Sequence, residues 1–120
     1  MEEPGSLRAV TPGSRSKESK MYAVIRETSY PTDKPLRARP EFIRFQDAHA
    51  ALPGYRGTIV THLGGGRHIT VTLWETADAM NAAREGIGPA VRKLIAPLMT
   101  APTNLLGTGE VAYSDFPGVS

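Results

Sequence analysis

The sequence predicts one α+β domain with a ferredoxin-like βαββαβ order, in which two helices cover one face of a four-stranded antiparallel sheet. Three observations predict it. The 120 residues leave room for a single hydrophobic core and exclude a second domain. Two β-rich runs joined by Gly64-Gly65-Gly66 read as a hairpin. On either side of that hairpin, a stretch with helical spacing separates it from one further β-rich run.

The elements follow in order. Residues 1–20, with Pro4, Gly5, Pro12, Gly13 and four serines among charges, hold too little apolar surface to offset chain entropy and are expected to form a flexible arm. The domain is expected over residues 21–115, with a short tail at 116–120. Residues 21–28 (Met-Tyr-Ala-Val-Ile-Arg-Glu-Thr) form the first strand, and Thr32-Asp33-Lys34-Pro35 a loop. From Pro40, which suits a first helical turn, Phe42, Phe45, His49 and Leu52 recur at spacings of three, four and three until Pro53-Gly54 stops the helix.

Residues 55–63 and 67–76 form the hairpin. A turn centred on Gly65 sets Ile59 opposite Val71, Thr61 opposite Ile69, His62 opposite His68 and Arg56 opposite Trp74. Alternation then places Ile59, Ile69, Val71 and Leu73 on one face, and Thr58, Val60, His62, His68, Thr70, Thr72 and Trp74 on the other. Thr76 reads as an N-cap, and Met80, Ala83, Ile87, Val91, Leu94 and Leu98 keep helical spacing, with a break expected at Gly86, Gly88 and Pro89. Residues 104–114 form the last strand, where Gly107 and Gly109 permit a bulge.

The aliphatic row Ile59, Ile69, Val71 and Leu73 is expected beneath the helices. The opposite face would carry Tyr22, Val24, Val60 and Trp74 among threonines and histidines. Leaving such a face in water forgoes roughly 25 cal/mol for each Å² that burial would cover. Pairing with a second copy, as a homodimer, would cover it and enclose a chamber, giving a dimeric α/β barrel.

Composition narrows the function classes. Apolar residues make up 40% and charged residues 22%, as in a folded globular chain. With no cysteine, disulfides and thiolate-held metals are excluded, which fits a cytoplasmic location. The net charge of +2 owes much to Arg8, Arg15, Lys17 and Lys20 in the arm, so no nucleic-acid partner is expected. No apolar run nears the roughly 20 residues that span a bilayer, and the first residues lack a secretory signal's apolar stretch, so no membrane association is expected. Gly64-Gly65-Gly66 precedes a strand and no Lys-Ser pair, so it is a turn and not a phosphate loop.

Two short stretches, Leu52-Pro53-Gly54-Tyr55-Arg56-Gly57 and Val71-Thr72-Leu73-Trp74-Glu75-Thr76, resemble the antibiotic biosynthesis monooxygenase-like superfamily of dimeric α/β barrels. The resemblance covers about residues 21–115. It implies the barrel fold and points to cofactor-free quinone-forming monooxygenases, heme-degrading monooxygenases, or small relatives without known activity. The quinone-forming members place an Asn four residues before the Trp and a Tyr six residues after it, where this chain has Thr70 and Met80. The heme-degrading members need a His on the second helix and an Asn on the first strand. Residues 77–99 contain no His, and Arg26 stands near the Asn position.

Candidate catalytic residues are Arg26, a guanidinium suited to an enolate-like oxygen, and His62 and His68, facing each other across the hairpin. Candidate substrate-binding residues are Trp74, whose ring suits stacking on an aromatic ligand, with Tyr22, Thr70 and Thr72. Each has a plainer role: Trp74 as dimer packing, the histidines as surface groups, Arg26 in an ion pair, and His49 as a neutral core imidazole. Two histidines without a carboxylate make a poor metal site, and no metal or cofactor is expected. The expected function is a cofactor-independent monooxygenase-like enzyme acting on a small aromatic or polyketide-like compound. The alternative is a non-catalytic dimeric barrel that binds a small ligand or serves a stress-associated structural role.

Overall fold

A computed structural model describes residues 20–116. The expected arm, apart from Lys20, and the tail beyond Phe116 lie outside the described residues. The chain runs β1 (Tyr22–Ser29), α1 (Pro40–Ala50), β2 (Tyr55–Gly64), β3 (Arg67–Trp74), α2 (Ala77–Gly86) and β4 (Asn104–Glu110). All pairings are antiparallel, and the sheet order is β2-β3-β1-β4. This is the ferredoxin-like arrangement that the element order predicts. Among the described residues no helix is long and apolar enough to cross a membrane.

Pro40 opens α1, where its missing N–H needs no partner. Past the end of α1, Gly54 has φ 82°, and a Cβ there would strike the Ala79 side chain, so glycine lets this corner close onto α2. Thr76 caps α2 by accepting a hydrogen bond from the Ala79 N–H at 3.0 Å, with Asp78 in the first turn. Beyond Gly86 the helical path breaks into a short turn at Gly88–Ala90, a π-helical turn at Val91–Ile95 and a 3-10 turn at Ala96–Leu98. Proline at 89 cannot supply the N–H that a continuous helix requires.

The hairpin pairs Ile59 with Val71, Thr61 with Ile69 and His62 with His68, as the glycine turn predicts. Trp74, however, pairs with Tyr55 and not with Arg56, because the register shifts between Tyr55 and Gly57. The shift brings the Tyr55 ring against Trp74, centroids 5.7 Å apart, and leaves Arg56 free to pair with exposed Glu75 at 2.8 Å. Burying the ring and solvating the guanidinium favours the bulge over a continuous ladder. β4 also ends earlier than residue 114. Val111 still donates to the Met21 carbonyl at 2.8 Å, but β1 begins at Tyr22 and offers no further partner.

The main correction concerns the faces of the sheet. The two alternating sets are as expected, but the helices cover the set containing Trp74. Val24, Trp74, Met80 and Ala83 form the buried cluster, with Tyr22, Leu52, Tyr55 and Ala79 packed against it. The aliphatic row points the other way, and Ile59 is 43% exposed. Period-two alternation sorts residues into sets but does not say which set meets the helices. The ladder is the same whichever side the connecting helices take.

Candidate active site

Because the helices lie over Trp74, the chamber expected between two subunits lies instead within one protomer. A cavity of about 290 Å³ separates the sheet from the helical layer. Its floor comes from alternate residues of the two central strands, Val24, Arg26 and Thr28 on β1 and Thr70, Thr72 and Trp74 on β3. Its roof comes from Phe45, Gln46 and His49 on α1, Met80, Ala83 and Arg84 on α2, and Ile87, Arg92 and Ile95 beyond it.

Trp74 is 1% exposed and is the chain's single tryptophan. Its ring centroid lies 5.4 Å from that of His49. His49 also approaches Phe45 at 5.2 Å and Tyr55 at 6.0 Å, so its imidazole sits in an aromatic box. The His49 Nδ1 is sealed from solvent and has no hydrogen-bond partner among the described residues. Burial first, and the charge of Arg26 second, push the His49 pKa down to about 4, so the ring is neutral at neutral pH.

Arg26 is half-buried in the floor, and its guanidinium is held below the ordinary arginine value by burial and then by the charge of Arg84. Tyr30 also lines the cavity, and burial raises its phenol to about 12, which keeps it a proton donor. The hydroxyls of Thr28 and Thr103 are hydrogen-bonded at 2.9 Å at one end. The site thus joins aromatic walls, hydroxyls, a neutral imidazole and arginine charge.

The residues singled out from the sequence divide between two places. Arg26, Thr70, Thr72 and Trp74 line the cavity, whereas Tyr22 packs against the core beside it. His62 and His68 stack on each other at 4.8 Å in a separate open groove with Asp33, Lys34 and Val60. The His68 Nδ1–H donates to the Gly66 carbonyl at 2.9 Å, and the ring packs edge-on against Tyr30. Burial, with a smaller push from His62, lowers the His68 pKa. Among the described residues no three His, Asp or Glu side chains gather as a metal-binding group.

Sequence reasoning gave no site role to Tyr30, Arg84 or Arg92 and read His49 as a core group. His49 and Arg84 carried a usable signal: His49 continues the Phe42–Phe45 stripe, and Arg84 follows Met80 by four residues, on the same helical face. Arg92 carried none, because the π-helical turn shifts the phase of every side chain in it.

No protein-family model matches the chain, and no curated protein matches it. Solved structures do match. A protein of unknown function from Nitrosomonas europaea superposes with a TM-score of 0.65 at 14% identity, over 83% of this chain and 97% of that one. A candidate antibiotic biosynthesis monooxygenase from Bordetella bronchiseptica gives 0.61 at 17% identity, over 78% and 98%. A cofactor-independent oxygenase from Streptomyces nogalater gives 0.58 at 18% identity, over 82% and 98%. The chain therefore shares the fold of antibiotic biosynthesis monooxygenase-like proteins; identities this low carry the fold alone.

Proposed function

We propose that the protein is a cofactor-independent oxygenase that admits a small phenolic compound between its sheet and helices and oxidises it with molecular oxygen. The observation that carries this reading is the cavity itself, where Trp74, Arg26 and His49 converge on a space the size of a small aromatic molecule. The shared fold with the Streptomyces nogalater oxygenase supports it.

In this mechanism Trp74 and Phe45 contribute to the aromatic wall beside the ring, His49 accepts the phenolic proton and Arg26 steadies the phenolate. A neutral imidazole with a pKa of about 4 is a weak base in the empty site. A phenolate forming beside Arg26 cancels part of the charge that depresses it, so basicity rises as the proton moves. The electron-rich ring then reduces oxygen, and a C–O bond forms at the ring carbon opposite the phenolic oxygen. The O–O bond breaks as that carbon loses its hydrogen, and water leaves. One phenol and one O2 become one quinone and one water, and every electron that oxygen gains comes from the substrate.

A second reading, a barrel that binds such compounds without oxidising them, is favoured by Thr70 and Met80, which bring neither an amide nor a phenol to the cavity. Oxygen uptake with electron-rich phenols separates the two. We expect uptake by the wild type, a loss of about a hundredfold in kcat for Arg26→Ala, and a rise mainly in KM for Trp74→Phe. Binding of phenols with no uptake for any of them would favour the second reading.

The outer face of the sheet supports a homodimer in a form different from the sequence expectation. Ile25, Ile59, Ile69 and Val71 share that face, and a second copy is the occupant proposed for it.

A further inference from the structure

The charges around the cavity are all of one sign. Arg26, Arg84 and Arg92 line it beside the neutral His49, and no aspartate or glutamate does. Elsewhere in the fold arginines meet carboxylates: Arg39 pairs with Asp33, Arg56 with Glu75 and Arg67 with Glu27. Among the described residues none of the three cavity arginines has such a partner. Arg84 is close enough to Arg26 for their charges to oppose each other, and Arg26 has lost part of its hydration. Water screens the exposed Arg84, but Arg26 is half-buried, and a bound anion would give the cavity a counter-charge that its own lining lacks.

We propose that the natural ligand of the cavity is an aromatic carboxylic acid, its ring against Trp74 and its carboxylate held by Arg84 and Arg92 from the helical layer. The inference rests on the reading of the cavity as a site for aromatic compounds and adds the ligand's charge. Guanidinium groups match a planar carboxylate with paired N–H donors. Arg92 lies back across the turn that lines the cavity, its Nη1 3.3 Å from where a Cβ on Gly88 would stand. Size agrees as well. An apolar cavity of roughly 150 Å³ holds benzene, and about 290 Å³ accommodates a fused or substituted ring with its carboxylate. Arg26, on the floor, remains for the phenolic oxygen.

The test compares 5-hydroxy-2-naphthoic acid, whose ring carbon opposite the hydroxyl carries a hydrogen, with its methyl ester, by calorimetric titration and by the fluorescence of the single tryptophan, at low and high salt. We expect the acid to bind the wild type at least about tenfold more tightly, with an affinity that falls as salt rises while that of the ester does not. In R84Q/R92Q the two should bind within about threefold of each other, with the ester's affinity unchanged. Both side chains are exposed, so the double variant should keep the wild-type circular dichroism. Equal affinity for acid and ester in the wild type, or a preference that survives in R84Q/R92Q, would overturn the proposal while leaving the aromatic site standing. Binding of neither compound would overturn both. A preference for the acid without oxygen uptake would uphold the anion site and remove the oxygenase reading.

Discussion

His49 shows how one residue can be legible in position and illegible in role. The spacing from Phe42 and Phe45 turns it toward the sheet, and the structure sets it against Trp74 and Tyr55. A histidine on an apolar stripe is more often a satisfied core group, yet the His49 Nδ1 has no partner among the described residues. Its titration has a consequence for stability. The unfolded chain takes up this proton near 6.5, the folded protein only near 4, so between those values the unfolded state binds more protons. Stability should therefore fall as pH drops through this window. We expect the melting temperature of His49→Phe to depend less on pH from 6.5 to 4; the depressed His68 leaves a residual slope of the same sign. Phenylalanine also removes the unpaired nitrogen, so urea unfolding at neutral pH should show a gain of about 1 kcal/mol. A steeper pH dependence in the variant would contradict this account.

At the scale of elements, the hairpin is the best-read part of the chain. Gly65 and Gly66 take φ 64° and 84°, the left-handed values that a two-residue turn of the twisted hairpin type requires. The two glycines differ in what surrounds them. Nothing lies within reach of a Cβ at Gly65, whereas one at Gly66 would run into the Tyr30 carbonyl, in the loop that Gly66 holds through a 2.9 Å bond to the Tyr30 N–H. Gly65→Asn should be nearly neutral in chemical denaturation, because Asn tolerates this backbone region, and Gly66→Ala should cost more than about 1 kcal/mol. Equal effects would show that backbone strain alone decides. The bulge at Arg56 was not legible, because choosing it requires knowing that the Tyr55 ring has Trp74 to pack against. Helix α2 was legible through its cap and its glycine-proline break, but the π-helical turn that follows leaves no trace in spacing.

For the whole molecule, the exchange of faces has two effects. It makes the cavity a property of one protomer, and it leaves aliphatic side chains on the outside of the sheet. Ile59 is 43% exposed, and Ile25, Ile69 and Val71 are half-buried beside it. If two copies meet through this face, Ile59→Lys should dissociate them at micromolar concentration in sedimentation, since a charge on a buried patch loses its hydration. The same substitution should spare the protomer fold, because residue 59 faces water there. A wild-type protein that sediments as a single chain at that concentration would remove the dimer.

The order of the elements, the hairpin with most of its register, the helix caps and the residues that share each side of the sheet can all be read from neighbouring residues. These follow from local backbone preferences and from two short periods that neighbouring residues carry. Long-range packing sets which side the helices cover, and with it whether Trp74 and Arg26 meet His49 in a cavity or a second copy at an interface. That choice depends on how two helices fit over one set of rings, a matter of contacts between distant parts of the chain, which no local pattern encodes.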